Sequence, residues 1–79
     1  MAIRVDLSLL LRRYAPDYDS ETGITVAYED GKTVAHIITE LGIPSKNVFA
    51  VLVNRRPSRV NCRLQDGDRI TLTRLLGAG

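Results

Sequence analysis

Residues 33–44 restrict this chain more than any other stretch, because they spell a short amphipathic helix with both ends specified. Thr33 can act as N-cap, its hydroxyl accepting from a first-turn amide. Val34, Ile37, Ile38 and Leu41 then recur at i, i+3, i+4 and i+7, which puts four aliphatic side chains on one stripe. Gly42 can take the left-handed conformation that closes a helix, Ile43 can fold back as the accompanying apolar contact, and Pro44 forbids continuation. One stripe of this size cannot bury itself. It needs a sheet to pack on.

The flanking segments supply strands. From Ile3 the odd positions are apolar (Ile3, Val5, Leu7, Leu9, Leu11) while Arg4, Asp6 and Ser8 are polar, a period of two that predicts a strand with one buried face. Tyr14 to Gly23 reads as a polar connector long enough to be mobile, with Pro16, three acids and a closing Gly. Ile24, Val26 and Tyr28 mark a second strand, ended by the turn pair Asp30-Gly31. After the helix, Val48 to Val53 is a nearly continuous apolar run, the pattern of a central strand covered on much of both faces. Asn54 to Ser58 reads as a polar turn, Arg59 to Cys62 as a brief strand, and Leu64-Gln65-Asp66-Gly67-Asp68 as a tight turn. From Ile70 to Leu76 the alternation resumes. The order β-β-α-β-(short β)-β around one helix predicts a two-layer α+β domain of the β-grasp, or ubiquitin-like, type: a mixed sheet of four to five strands packed on one main helix.

At 79 residues, this reads as a single domain over 1–79 with a flexible C-terminal tail at 75–79, too small for the cleft of a large enzyme. With no Trp and one Phe, Leu, Ile and Val must fill the core. One cysteine, Cys62, and one histidine, His36, cannot supply the ligands of a zinc or iron–sulfur site, so no bound metal or cofactor is expected. Cys62 lacks a local catalytic partner and reads as a packing residue. His36 falls one step off the helix stripe, facing solvent. No apolar run approaches the roughly 20 residues needed to span a bilayer, and Met1 leads into an alternating strand rather than a leader. The expected location is cytoplasmic, without a membrane partner.

Charge is distributed unevenly. Residues 1–40 carry four Lys/Arg against seven Asp/Glu, and residues 41–79 carry seven against two. Arg55, Arg56, Arg59, Arg63, Arg69 and Arg74 could grip an acidic partner or phosphates, or form a solvated polar face. No aromatics interleave with them, so nucleic acid is not the expected partner.

Two motifs together carry a family resemblance: the Leu64-Gln65-Asp66-Gly67-Asp68-Arg69-Ile70 segment before the last strand, and the closing Leu75-Leu76-Gly77-Ala78-Gly79. With the Val53-Asn54 element and the Gly42-Ile43-Pro44 helix exit, they resemble the small sulfur-carrier family of the molybdopterin synthase small subunit and the thiamin sulfur carrier (MoaD/ThiS-like). The resemblance covers most of the chain and is weakest over Arg12 to Gly23. Asp66-Gly67-Asp68 itself reads as a turn, and Asn54 as a turn residue tolerant of left-handed φ.

The resemblance implies that the Gly79 carboxylate is adenylated by a ubiquitin-activating-like enzyme using ATP. A sulfur donor of the cysteine desulfurase or rhodanese type would then convert it to a thiocarboxylate. Gly77 and Ala78 would thread the narrow channel of the partner, and Leu75, Leu76 and Arg74 would contact it. The chain departs from the family's Gly-Gly ending at Ala78. Downstream acceptors implied are the molybdenum or tungsten pterin precursor, reached through a synthase large subunit, the thiazole of thiamin, reached through a thiazole synthase, or a thiolated tRNA. The longer segment before the second strand favours the pterin. On this reading the protein is a cosubstrate and not itself an enzyme. The alternative is a β-grasp interaction module that docks to a protein or RNA and has lost carrier chemistry through Ala78.

Overall fold

The computed structural model describes residues 2–73. Five strands, β1 (Ala2–Leu7), β2 (Ile24–Ala27), β3 (Ala50–Val53), β4 (Arg56–Ser58) and β5 (Arg69–Thr73), form one mixed sheet in the order β2-β1-β5-β3-β4. β1 and β5 run parallel, and the other neighbours are antiparallel. The single α-helix among the described residues, α1 (Val34–Glu40), covers one face. The α+β, β-grasp architecture expected from the sequence is therefore the one found.

The alternating residues of β1 and β5 point as their period requires. Ile3, Val5, Leu7, Ile70 and Leu72 are fully or almost fully buried, and they pack with Val34, Ile37 and Ile38 of the helix stripe. Side chains of this type stabilise by roughly 1.5–3 kcal/mol each when taken fully out of water. The opposite face of the sheet carries Thr25, Arg4, Asp6, Arg69 and Thr71 and is left open.

Each helix boundary has its cause. Thr33 Oγ1 accepts the His36 N–H, and His36 Nδ1 accepts the Thr33 N–H at 3.0 Å, a reciprocal capping box. His36 is exposed as expected, but its ring is committed to this cap. The remaining first-turn amides donate to a neighbouring loop, Val34 N–H to the Cys62 carbonyl and Ala35 N–H to the Val60 carbonyl. At the other end Gly42 has φ +72°. Its N–H donates to the Thr39 carbonyl and the Ile43 N–H to the Ile38 carbonyl, the paired bonds of a Schellman motif, with Ile43 buried behind them.

Several strand boundaries differ from the sequence reading. β1 ends at Leu7, and Leu9–Tyr14 is a 3-10 helix with Leu11 buried and Leu9 and Leu10 exposed. The apolar alternation overran because a three-residue turn also returns Leu11 to the core. The connector that follows is tied down: Tyr18 Oη accepts the Leu7 N–H, Arg12 Nε donates to the Leu7 carbonyl and stacks on the Tyr18 ring, and Asn47 donates to Tyr14 Oη. The centre of the sheet is β5, not β3, and only one face of β3 is buried. Arg56–Ser58 is a strand rather than a turn, with Pro57 accommodated because β4 lies at the edge. Arg59 to Cys62 is not a strand, since the Val60 and Cys62 carbonyls serve the helix start. Leu64, read as part of a turn, is buried in the core.

Candidate functional site

The residues singled out in the sequence, Arg74, Leu75, Leu76, Gly77, Ala78 and Gly79, lie outside the described residues. What is described is the platform from which they continue. β5 is held on both sides to its last residue: Ser8 N–H donates to the Leu72 carbonyl at 3.0 Å, Phe49 N–H donates to the Thr73 carbonyl at 2.7 Å, and Thr73 Oγ1 donates to the Ala50 carbonyl. β5 therefore ends in the middle of the sheet, between the chain leaving β1 and the chain arriving at β3. Both of those chains carry exposed apolar side chains at this point. Leu9 is 76% exposed and Phe49 61%, with Leu10 also exposed.

The opposite end of β5 is a closed polar network. Asn54 sits at φ 51° in the two-residue turn joining β3 to β4, with Arg55 beside it at φ 69°. The Asn54 side chain donates to Asp68 Oδ1 and accepts the Arg69 N–H, while its own N–H donates to the Arg69 carbonyl at 2.7 Å. Asp68 in turn accepts the Gln65 N–H, closing the turn that contains Asp66 and Gly67. Both sequence readings as turn elements hold. On the open face Asp6 accepts from Arg4 Nε and from Arg69 Nε. Partial burial pushes the Asp6 carboxyl upward, but hydrogen bonds and charge from Arg69 and Arg4 outweigh it and hold the carboxyl below its ordinary value.

This network uses Arg69, so the sequence's arginine cluster does not act as one group. Arg55 and Arg56 lie on the β3–β4 hairpin, Arg59 just after it, and Arg63 in an isolated bridge with Thr33. These four are exposed and form no ion pair among the described residues.

A family model described as Mut7-C ubiquitin matches residues 1–73. The chain belongs to this ubiquitin family. No curated protein and no solved structure matches it. Membership agrees with the five-stranded sheet and single helix, and with the resemblance to small ubiquitin-like sulfur carriers. The matched residues stop at Thr73, where the described platform also stops.

One residue of this Mut7-C ubiquitin domain had no sequence signal. Lys32 follows the Asp30-Gly31 turn and looks like a surface lysine, yet it is only 6% exposed. Its Nζ donates to the Ala27 carbonyl at 2.9 Å and pairs with Glu40 at 2.7 Å, joining the end of β2 to the last turn of α1. Its own carbonyl accepts the Leu64 N–H. Glu40 is eight residues away, and nothing in the intervening pattern announces the pair. Cys62 is a half-buried free thiol, as expected of a packing residue. Among the described residues no group of His, Cys, Asp or Glu could hold a metal ion, and no helix is long and apolar enough to cross a membrane.

Proposed function

We propose that this member of the Mut7-C ubiquitin family is a sulfur carrier whose reactive group is the Gly79 carboxylate. The observation that carries the reading is the platform at Thr73: the central strand is hydrogen-bonded to its last residue, and exposed Leu9, Leu10 and Phe49 flank that strand end. Such a platform delivers the following segment from a fixed position while offering an apolar surface for an enzyme to hold.

In the proposed reaction a ubiquitin-activating-like partner binds ATP, and the Gly79 carboxylate attacks the α-phosphorus with release of pyrophosphate. The terminal sulfur of a donor persulfide then attacks the acyl carbon and AMP leaves. A second donor thiol cleaves the resulting acyl disulfide, freeing the thiocarboxylate and leaving a disulfide on the donor. Gly77 and Ala78 pass through the partner's channel as extended backbone, while Arg74, Leu75 and Leu76 contact its rim. The sulfur acceptor in this reading is a pterin precursor of the molybdenum or tungsten cofactor.

A second reading, a docking module without carrier chemistry, draws support from the family match ending at Thr73 and from Ala78 in place of a second glycine. One experiment separates them. The protein is incubated with ATP, an activating enzyme and a persulfide donor, alongside a Gly-Gly-ending homologue, and intact mass is measured. Exchange of one terminal oxygen for sulfur, abolished by deletion of Gly79, is the expected result. Conversion of the homologue with no change in this chain overturns the carrier reading.

A further inference from the structure

Where the β3–β4 hairpin opens, its two chains part company. Phe49 stays with β5 through its bond to Thr73, whereas the Val60 carbonyl turns away to receive the Ala35 N–H of α1. The divergence leaves a surface groove of about 800 Å³ lined by Phe49, Leu52, Pro57, Arg59 and Val60, with buried Val51 among its lining residues. Phe49 and Val60 are 61% and 45% exposed, so the groove displays apolar surface on both walls.

The charge around it is of one sign. Residues 41–65 contain Lys46, Arg55, Arg56, Arg59 and Arg63 and not one Asp or Glu. No ion pair among the described residues neutralises any of the five. Elsewhere Arg4 and Arg69 pair with Asp6 and Lys32 with Glu40, while Arg12 and Arg13 lie over the Tyr18 and Tyr14 rings. An apolar trough lined by the unpaired Arg59 guanidinium, within a segment carrying only positive charge, is complementary to a segment that presents an apolar anchor beside carboxylates. Single-stranded nucleic acid fits less well, because stacking requires successive aromatic faces and Phe49 is the one aromatic lining the groove.

We propose that this groove is a docking site for an acidic protein segment, its aliphatic or aromatic anchor seated between Phe49 and Val60 and a flanking carboxylate on Arg59. The proposal does not require the chemistry at Gly79; Phe49 is shared with the platform at Thr73, whereas Arg59 and Val60 belong to the groove alone.

The test is a titration of the full-length, ¹⁵N-labelled chain with a synthetic peptide holding an Ile-Leu pair between glutamates. The same peptide with lysines in place of the glutamates and an oligouridylate serve as comparison probes. The acidic peptide is expected to shift the amides of Val48–Leu52 and Ser58–Asn61 and to bind more weakly as salt rises. Phe49→Ser and Arg59→Glu should each weaken binding about tenfold or more, whereas Arg59→Lys retains most of it. Both positions are exposed, so amide dispersion should be unchanged in the variants. The proposal is overturned if the lysine peptide or the RNA shifts these amides as strongly, if saturable shifts appear only elsewhere, or if neither variant weakens binding.

Discussion

The two ends of β5 solve opposite problems. At the Arg69 end, polar groups are consumed internally: Asn54 serves both Asp68 and Arg69, and Asp6 gathers two guanidinium groups. At the Thr73 end the Leu72 and Thr73 carbonyls are both taken up by backbone bonds, but Leu9, Leu10 and Phe49 are left showing to solvent. One end invests its side chains in the stability of the fold, and the other leaves them exposed. The difference teaches that an exposed apolar residue beside a well-ordered strand end is not loose packing; the packing there is already finished beneath it by Leu11, Leu7 and Leu72.

Substitutions can break or sharpen this contrast. The largest expected effect is at Gly23, which has φ +68° and lies against the Asp6 side of the network. A Cβ there would come within 2.9 Å of the Val5 carbonyl and 2.8 Å of Asp6 Oδ1. Gly23→Ala should lower unfolding free energy by about 3 kcal/mol, combining positive-φ strain with overpacking, measured by urea denaturation. Asn54→Ala comes next. It deletes two side-chain hydrogen bonds and puts a less tolerant residue at φ 51°, at an expected cost of about 2 kcal/mol.

Asp6→Asn should cost about 1–2 kcal/mol near neutral pH, and its pH dependence is diagnostic. The folded carboxyl titrates below its ordinary value of 3.8, so its stabilisation is fully present above that value and lost as pH falls through the depressed one. The gap between wild type and variant should therefore close in acid; a gap that persists undiminished there would mean the charge of Asp6 is not what matters.

At the Thr73 end, Leu9→Ser and Phe49→Ser should change stability by no more than about 0.5 kcal/mol; under the proposed carrier reading they should also slow adenylate formation by the activating enzyme. If either destabilises as much as Asp6→Asn, the contrast between the two ends fails.

The sequence revealed most where local chemistry decides the outcome. Thr33, Gly42, Ile43 and Pro44 each act on groups within a few residues, so the helix was legible down to its caps. The Asp66–Asp68 turn was legible for the same reason. Readings failed where distant partners decide. Val48–Val53 looked like a central strand because apolar content alone does not distinguish two-sided burial from one buried face and one exposed groove wall. Lys32 gains its burial from Glu40 and Ala27, and residues 59–62 lost their strand character to amides on α1. For the candidate site, the arginine pattern was visible, but only the structure separates Arg69, paired with Asp6, from Arg55, Arg56, Arg59 and Arg63.

The position of β5 has a consequence for how the protein comes into being. The middle of the sheet is filled by its last strand, which pairs with β1, and Asp6 meets Arg69 across 63 residues of sequence. Contacts that span nearly the whole chain are slow to form and reward the chain only at closure. A ribosome-bound fragment lacking β5 would have β1 and β3 facing a gap, with no sheet to join them. Completion of the fold and completion of the platform at Thr73 are therefore the same event, and under the proposed carrier reading an activating enzyme that grips this platform would be inspecting the chain for having folded.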